Sequence, residues 1–183
     1  MSLLFEKGSH WLRHALVTIG ALVVVVAAVV FVIIYSGVFN VAATVEDSPL
    51  LRWALITVRE ASVERHADVS APETAGDVER GFALYRVNCV MCHTPVGQTP
   101  HAMSVGFNPP APSFGPDADD MEASELFWVT KNGIRFTGMP AWAPSLTDAE
   151  IWDITAFLET LPEMTAAEYD ALDARVPELP TMP

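Results

Sequence analysis

The chain has 183 residues, 51% of them hydrophobic, yet its formal net charge is −13. That length allows one ordinary domain with an appendage rather than two full domains, and so acidic a chain would be repelled by a phosphate backbone, which excludes nucleic acid as a partner. The charge and the apolar excess have separate addresses: in residues 1–67 five acids and five bases cancel, whereas from Asp68 onward 18 acids face 5 bases.

Residues 15–35, ALVTIGALVVVVAAVVFVIIY, carry no charge, and Thr18 and Tyr35 are their only polar members. As a helix this run is about 31 Å long, enough to cross the hydrocarbon core of a bilayer. It is too long and unbroken for a core helix or a strand. It also exceeds the usual apolar core of a signal peptide, so a retained transmembrane helix over 15–36 is expected despite the small residues Val41-Ala42-Ala43. Lys7 and Arg13 precede it and Glu46 and Asp47 follow. The excess of positive charge on the amino-terminal side sets residues 1–14 in the cytoplasm, makes the lipid bilayer a partner, and carries the rest of the chain across the membrane.

Residues 37–75 read as a membrane-proximal helix and a linker. In SPLLRWALITVREASVERHA (48–67), Ser48 is a cap, Pro49 suits the first turn, and Leu51, Leu55, Val58 and Ser62 form a stripe at helical spacing. Trp53, Arg52 and Arg59 suit a lipid–water boundary, and a stalk packed on its own domain is the alternative. SAPETAG (70–76) is a linker.

The next helix is expected from DVERGFALYRVN, with Asp77 as cap and Val78, Phe82 and Tyr85 on one face. It runs into CVMCH (89–93), which holds both cysteines of the chain. Residues 94–123 are Pro- and Gly-rich and without periodicity, a loop too long for a compact domain unless it wraps something large. SELFWVTKNG is helical and stops at Asn132 and Gly133. After the loop IRFTGMPAWAPSL, a capping box of Thr147 and Glu150 opens a helix with Ile151, Ile154, Leu158 and Leu161 on one side. A second box, Thr165 with Glu168, opens a short acidic helix before the Pro-rich end, and residues 165–183 are set apart as a tail. No strand pattern is present.

Three chemistries compete for CVMCH. A structural zinc needs about four protein ligands, and only His101 stands near the pair as a further donor. A thioredoxin-like dithiol belongs after a strand in a βαβ unit, which is missing, and leaves His93 without a role. Covalent haem uses every residue: thioethers from Cys89 and Cys92 to one porphyrin, and the His93 imidazole on the iron. In bacteria that attachment takes place on the non-cytoplasmic side of the inner membrane, the side to which the charge asymmetry sends this domain.

From about Gly76 to Leu161 the order of elements resembles a class I c-type cytochrome: an amino-terminal helix, CxxCH, a Pro-rich loop, a middle helix, a Met-bearing loop and a carboxy-terminal helix. The anchor and TGMPAW are similar to membrane-tethered bacterial members. The resemblance implies an all-α fold, a small haem c domain over 76–164 tethered by one amino-terminal transmembrane helix, with Gly81 where the first helix crosses the last and Phe157 facing it. It implies His93 and Met139 as iron ligands, with His101 as the runner-up for the second. It also implies a Pro carbonyl holding His93, best matched by Pro112, with Phe114 packed on the ring. Trp142 and Trp128 are candidates for the haem lining, Trp128 more simply for the core.

With His and Met on the iron, the expected activity is single-electron transfer between membrane redox proteins as donor and acceptor, by a periplasmic domain that turns over no small-molecule substrate. A fixed haem subunit of a membrane oxidoreductase is the first alternative. A five-coordinate gas sensor or peroxidase, with Arg135 or His101 as its polar distal residue, is the second.

Overall fold

A computed structural model describes residues 2–73, 76–115 and 121–178. Among these the protein is all-helical: α1 Ser2–Ser36, α2 Pro49–His66, α3 Val78–Asn88, α4 Ala123–Asn132, α5 Asp148–Leu158 and α6 Ala166–Arg175, with single 3₁₀ turns at Ser104–Gly106 and Leu161–Glu163. The chain divides into two compact units, Met1–Val45 and Glu46–Pro183.

In the first unit α1 begins well before the apolar run, taking in residues that the charge pattern alone sets ahead of it. The part long and apolar enough to cross a membrane is His10–Ser36. The segment Ala-Leu-Val-Ile keeps helical geometry because nothing in it breaks the backbone ladder, and Gly37, at φ 69°, follows its last residue.

The second unit is organised by the crossing of α3 and α5. Asp77 caps α3 by accepting from the backbone N–H groups of Glu79 and Arg80, at 3.0 and 3.1 Å. The Asp77 N–H itself, outside the helical ladder, donates to Oδ1 of Asp153 on α5 at 2.8 Å. Gly81 stands where the helices meet: a Cβ there would run into the carbonyl of Asp153 and lie 3.0 Å from the Cβ of Phe157. The missing side chain is what lets Phe82 and Tyr85 reach Phe157, with ring centroids 5.3 and 5.1 Å apart. All three rings are fully buried, and removing each from water contributes about 1.5–3 kcal/mol.

The expected face of α5 is realised: Ile151, Ile154, Leu158 and Leu161 are all buried. Its capping box is present, Thr147 Oγ1 bonding Glu150 Oε2 at 2.7 Å and accepting from the Glu150 N–H at 3.3 Å. These bonds, chiefly from the Thr147 backbone and hydroxyl, hold the Glu150 carboxyl below the usual carboxylate range. A carboxylate with a lowered folded-state pKa stabilises the fold above its unfolded value and loses that contribution as the pH falls through the folded value. Thr147→Ala is therefore expected to cost about 1 kcal/mol at neutral pH, and to flatten the decline in stability below about pH 4.5 seen by denaturant titration at a series of pH values.

α6 closes the same core rather than trailing from it. Tyr169 is buried with its ring 5.3 Å from Phe82, and Val176 is buried as well. Arg86 on α3 holds this segment from outside, donating to the Val176 carbonyl at 3.2 Å and pairing with Asp173 at 3.0 Å. The capping box of Thr165 and Glu168 is formed. The Pro-rich end beyond residue 178 lies outside the described residues.

α2 departs from the expected packing. Ser48 caps it, accepting from the Leu51 N–H at 3.3 Å. Of the expected stripe, however, Leu55 and Val58 are exposed and Leu51 and Ser62 half-buried, and the buried side chain is Val63. The reason is tertiary: α2 meets α4 at its carboxy-terminal end, where His66 stacks on Trp128 at 6.0 Å between centroids. Trp128 is thus half-buried on the outer side of α4, and its neighbour Phe127 is the core residue, stacked on Trp152 at 4.3 Å.

Candidate haem site

The last turn of α3 does not end at Asn88 in effect. The Cys89 N–H bonds the Tyr85 carbonyl, and the His93 N–H bonds the Cys89 carbonyl, each at 2.8 Å, so residues 89–93 continue as one helical turn. Positions i, i+3 and i+4 of such a turn share a side, which brings Cys89, Cys92 and His93 together. Both thiols are free, Cys89 buried and Cys92 half-buried. Burial, followed by the neighbouring Cys92, pushes the Cys89 thiol up to about 12, so on its own it is a protonated, unreactive thiol.

His93 is buried and fixed from three directions. Its Nδ1 lies 3.0 Å from the carbonyl oxygen of Pro112. A carbonyl oxygen brings no proton, so Nδ1 carries the N–H and the lone pair is left on Nε2, the form in which an imidazole ligates a metal. The Phe114 ring stacks on the imidazole at 4.9 Å between centroids and 29° between planes. Tyr85, a core residue of α3, donates from its hydroxyl to the His93 carbonyl at 3.4 Å. Burial lowers the His93 pKa and the Pro112 hydrogen bond offsets part of this, so the neutral ring is favoured. Pro112 and Phe114 sit in the loop that follows the motif; its described part, up to Gly115, holds no helix beyond the 3₁₀ turn.

Met139 is carried by a different loop, between α4 and α5, and is half-buried. Gly133 ends α4 at φ 65°, and a Cβ there would stand 2.6–2.8 Å from the backbone of residues 139–141. Only glycine fits both the left-handed backbone and the close approach. Ile134 N–H donates to the Met139 carbonyl at 3.2 Å, and the Met139 N–H donates to the Thr137 hydroxyl at 3.1 Å. Trp142 and Ala143 donate back to the carbonyls of Thr130 and Lys131 on α4. At the other edge, a Cβ on Gly138 would lie 3.4 Å from the Phe107 ring, so the Met139 loop meets the loop that supplies Pro112 and Phe114.

The structure thus gathers Cys89, Cys92, His93, Pro112 and Phe114 directly and carries Met139 on a separate pinned loop that meets the 94–115 segment at Phe107. His101 is exposed, its Nδ1 accepting from the Met103 N–H at 3.2 Å, and Arg135 is exposed. Among the described residues no group of three or more His, Cys, Asp or Glu is placed to hold a metal ion, as a structural zinc would require. Two residues missed in the sequence shape the site from outside it. Asp153, a carboxylate on an otherwise apolar side of α5, ties α3 in place, and Phe107 packs on the Met139 loop.

An all-helical unit with a Cys-x-x-Cys-His turn and a carbonyl-held histidine has the donor set of a covalent haem. Two thiols sit on one side of a turn, and an imidazole is presented through Nε2. Residues 76–158, a little under half of the chain, match the family model described as "Cytochrome C oxidase, cbb3-type, subunit III", which indicates a c-type cytochrome domain. No curated protein and no solved structure matches the chain.

Proposed function

We propose that the chain is a membrane-anchored mono-haem cytochrome c that passes single electrons between membrane redox proteins. Cys89 and Cys92 would hold the haem as thioethers, and His93 and Met139 would ligate its iron. One observation carries the reading: inside a CxxCH turn the Pro112 carbonyl accepts the Nδ1–H of His93 and leaves the lone pair on Nε2, the form in which a histidine ligates a metal. When bound, haem would supply an iron that changes valence by one electron. The chain's own part is to bind and orient it, to exclude water with Tyr85, Phe114 and the 94–115 loop, and to keep the second ligand in reach through the hydrogen bonds of the Met139 loop.

α1 supports the anchor, with Lys7 and Arg13 ahead of the apolar run and Glu46 and Asp47 after it. This asymmetry favours a cytoplasmic amino terminus and a domain on the far side of the inner membrane. A tether of this kind raises the effective concentration of the domain near membrane partners. The acidic surface from Asp68 onward favours a basic docking patch on them. The match to an oxidase-subunit model gives a second reading, a fixed subunit of a membrane oxidoreductase; a complex surviving mild detergent extraction would separate that from a free carrier.

The reading predicts that haem stays on the polypeptide after denaturation and acid–acetone extraction, measured by haem-stained denaturing gels. Cys89→Ala or Cys92→Ala is expected to leave a single, weaker attachment, and the double variant to lose all covalent haem. Haem extracted intact from the unaltered protein would contradict it.

A further inference from the structure

α2 uses one end for its own domain and leaves the other unpartnered. The carboxy-terminal half docks through Val63 and His66, whereas residues 50–58, LLRWALITV, contain a single charge, Arg52. Each residue turns the helix by about 100°. The side opposite Val63 therefore carries Leu50, Ala54, Val58 and Ala61, flanked by Leu51 and Thr57, with Trp53 beyond its edge, about 80° from Val63. On this side Leu50, Val58 and Ala61 are exposed, while Ala54 and the flanking Leu51 are half-buried. Leu50, Val58 and Trp53 are 71%, 68% and 63% exposed, while Ile56, close to the Val63 side, is 37% exposed.

Three observations say what covers this face. α2 begins at Pro49 and the candidate membrane helix ends at Ser36; a segment as short as 37–48 spans at most about 40 Å even when fully extended, so α2 cannot leave the neighbourhood of a bilayer that holds α1. The exposed set includes a tryptophan, the side chain that favours the lipid–water boundary, and Arg65 continues the same side one turn beyond Ala61, where its stem can lie on apolar surface with the charge among headgroups. The remainder of this unit, with 18 acids against 5 bases from Asp68 onward, is repelled by anionic lipid, which leaves α2 as its part suited to the surface.

We propose that α2 is a membrane-surface helix, its Leu50, Ala54 and Val58 side sunk among lipid headgroups and Trp53 at the edge of that side, so that the cytochrome domain rides against the bilayer rather than swinging on a free tether. The inference rests on α1 spanning the membrane.

The test uses the full-length holoprotein in vesicles of phosphatidylcholine with a minor share of phosphatidylglycerol, with the iron reduced. Single nitroxide labels are placed through Leu50→Cys, Val58→Cys, Glu60→Cys and, inside α1, Val25→Cys, each variant first checked for an unchanged haem spectrum. Collisions with oxygen and with a water-soluble nickel chelate are then compared. Labels at 50 and 58 are expected to behave like the one at 25, oxygen-accessible and severalfold less accessible to nickel than the label at 60. Nickel access at 50 and 58 equal to that at 60, with 25 still protected, overturns the proposal while leaving the anchor intact. Protection of 50 and 58 from both reagents overturns it in favour of a protein partner. Nickel access at 25 removes the anchor, and the surface helix with it.

Discussion

Gly81→Ala is expected to cost about 3 kcal/mol or more, because the added methyl meets backbone rather than a movable side chain. The carbonyl of Asp153 stands in its way, and Asp153 cannot retreat alone, since its carboxylate holds the Asp77 N–H at the start of α3. Separating α3 from α5 also opens the contacts among Phe82, Tyr85 and Phe157, and Tyr85 is the residue whose hydroxyl braces the His93 carbonyl. For a domain of this size the expected fall in Tm exceeds about 10 °C, accompanied by a lower yield of haem-loaded protein. Gly106→Ala is the comparison, since nothing lies within 4 Å of a Cβ there, and its expected effect is within about 0.5 kcal/mol. Thermal unfolding of the two variants checks the pair. Equal melting temperatures would mean that the helices do not cross at Gly81.

Met139→Ala is expected to open the sixth position on the iron. The reduced variant should bind carbon monoxide in full, and its reduction potential should move negative, because a thioether ligand raises the potential of a haem c. Truncating a methionine that only fills the core costs about 2–5 kcal/mol and leaves the iron's ligands alone. The spectroscopic response, rather than the loss of stability, therefore identifies the role. His101→Ala should leave the spectrum unchanged. The loop argues for the first outcome: three backbone–backbone hydrogen bonds, a fourth from the Met139 N–H to the Thr137 hydroxyl, and a left-handed glycine at its root hold the Met139 backbone in one place, more constraint than a gap-filling side chain calls for.

What could be read in the sequence was local. The caps at Ser48, Asp77, Thr147 and Thr165 are bonds between a side chain and backbone two or three residues on, so their partners are fixed by spacing. The stop at Gly133 and the apolar side of α5 are equally short-range. CVMCH was legible because its five residues carry their own chemistry.

Contacts made at a distance were harder to read. Asp153 reaches across 76 residues to Asp77, and Tyr169 enters the core from a segment whose acidic pattern looks like a solvated tail. In α2 the apolar residues of 50–58 surround the helix, so periodicity does not settle which side is buried, and the buried side chain is Val63. Trp128 went to the surface of α4 for the same reason, its place being set by His66.

The central claim, a haem held by Cys89 and Cys92 between His93 and Met139, is tested most directly by the visible spectrum of the purified full-length protein, oxidised, reduced, and reduced under carbon monoxide. The account predicts a sharp reduced α band, a weak far-red band of sulfur ligation in the oxidised form, and no change on adding carbon monoxide. Rapid carbon monoxide binding with no far-red band would contradict it, showing an iron that His93 holds alone.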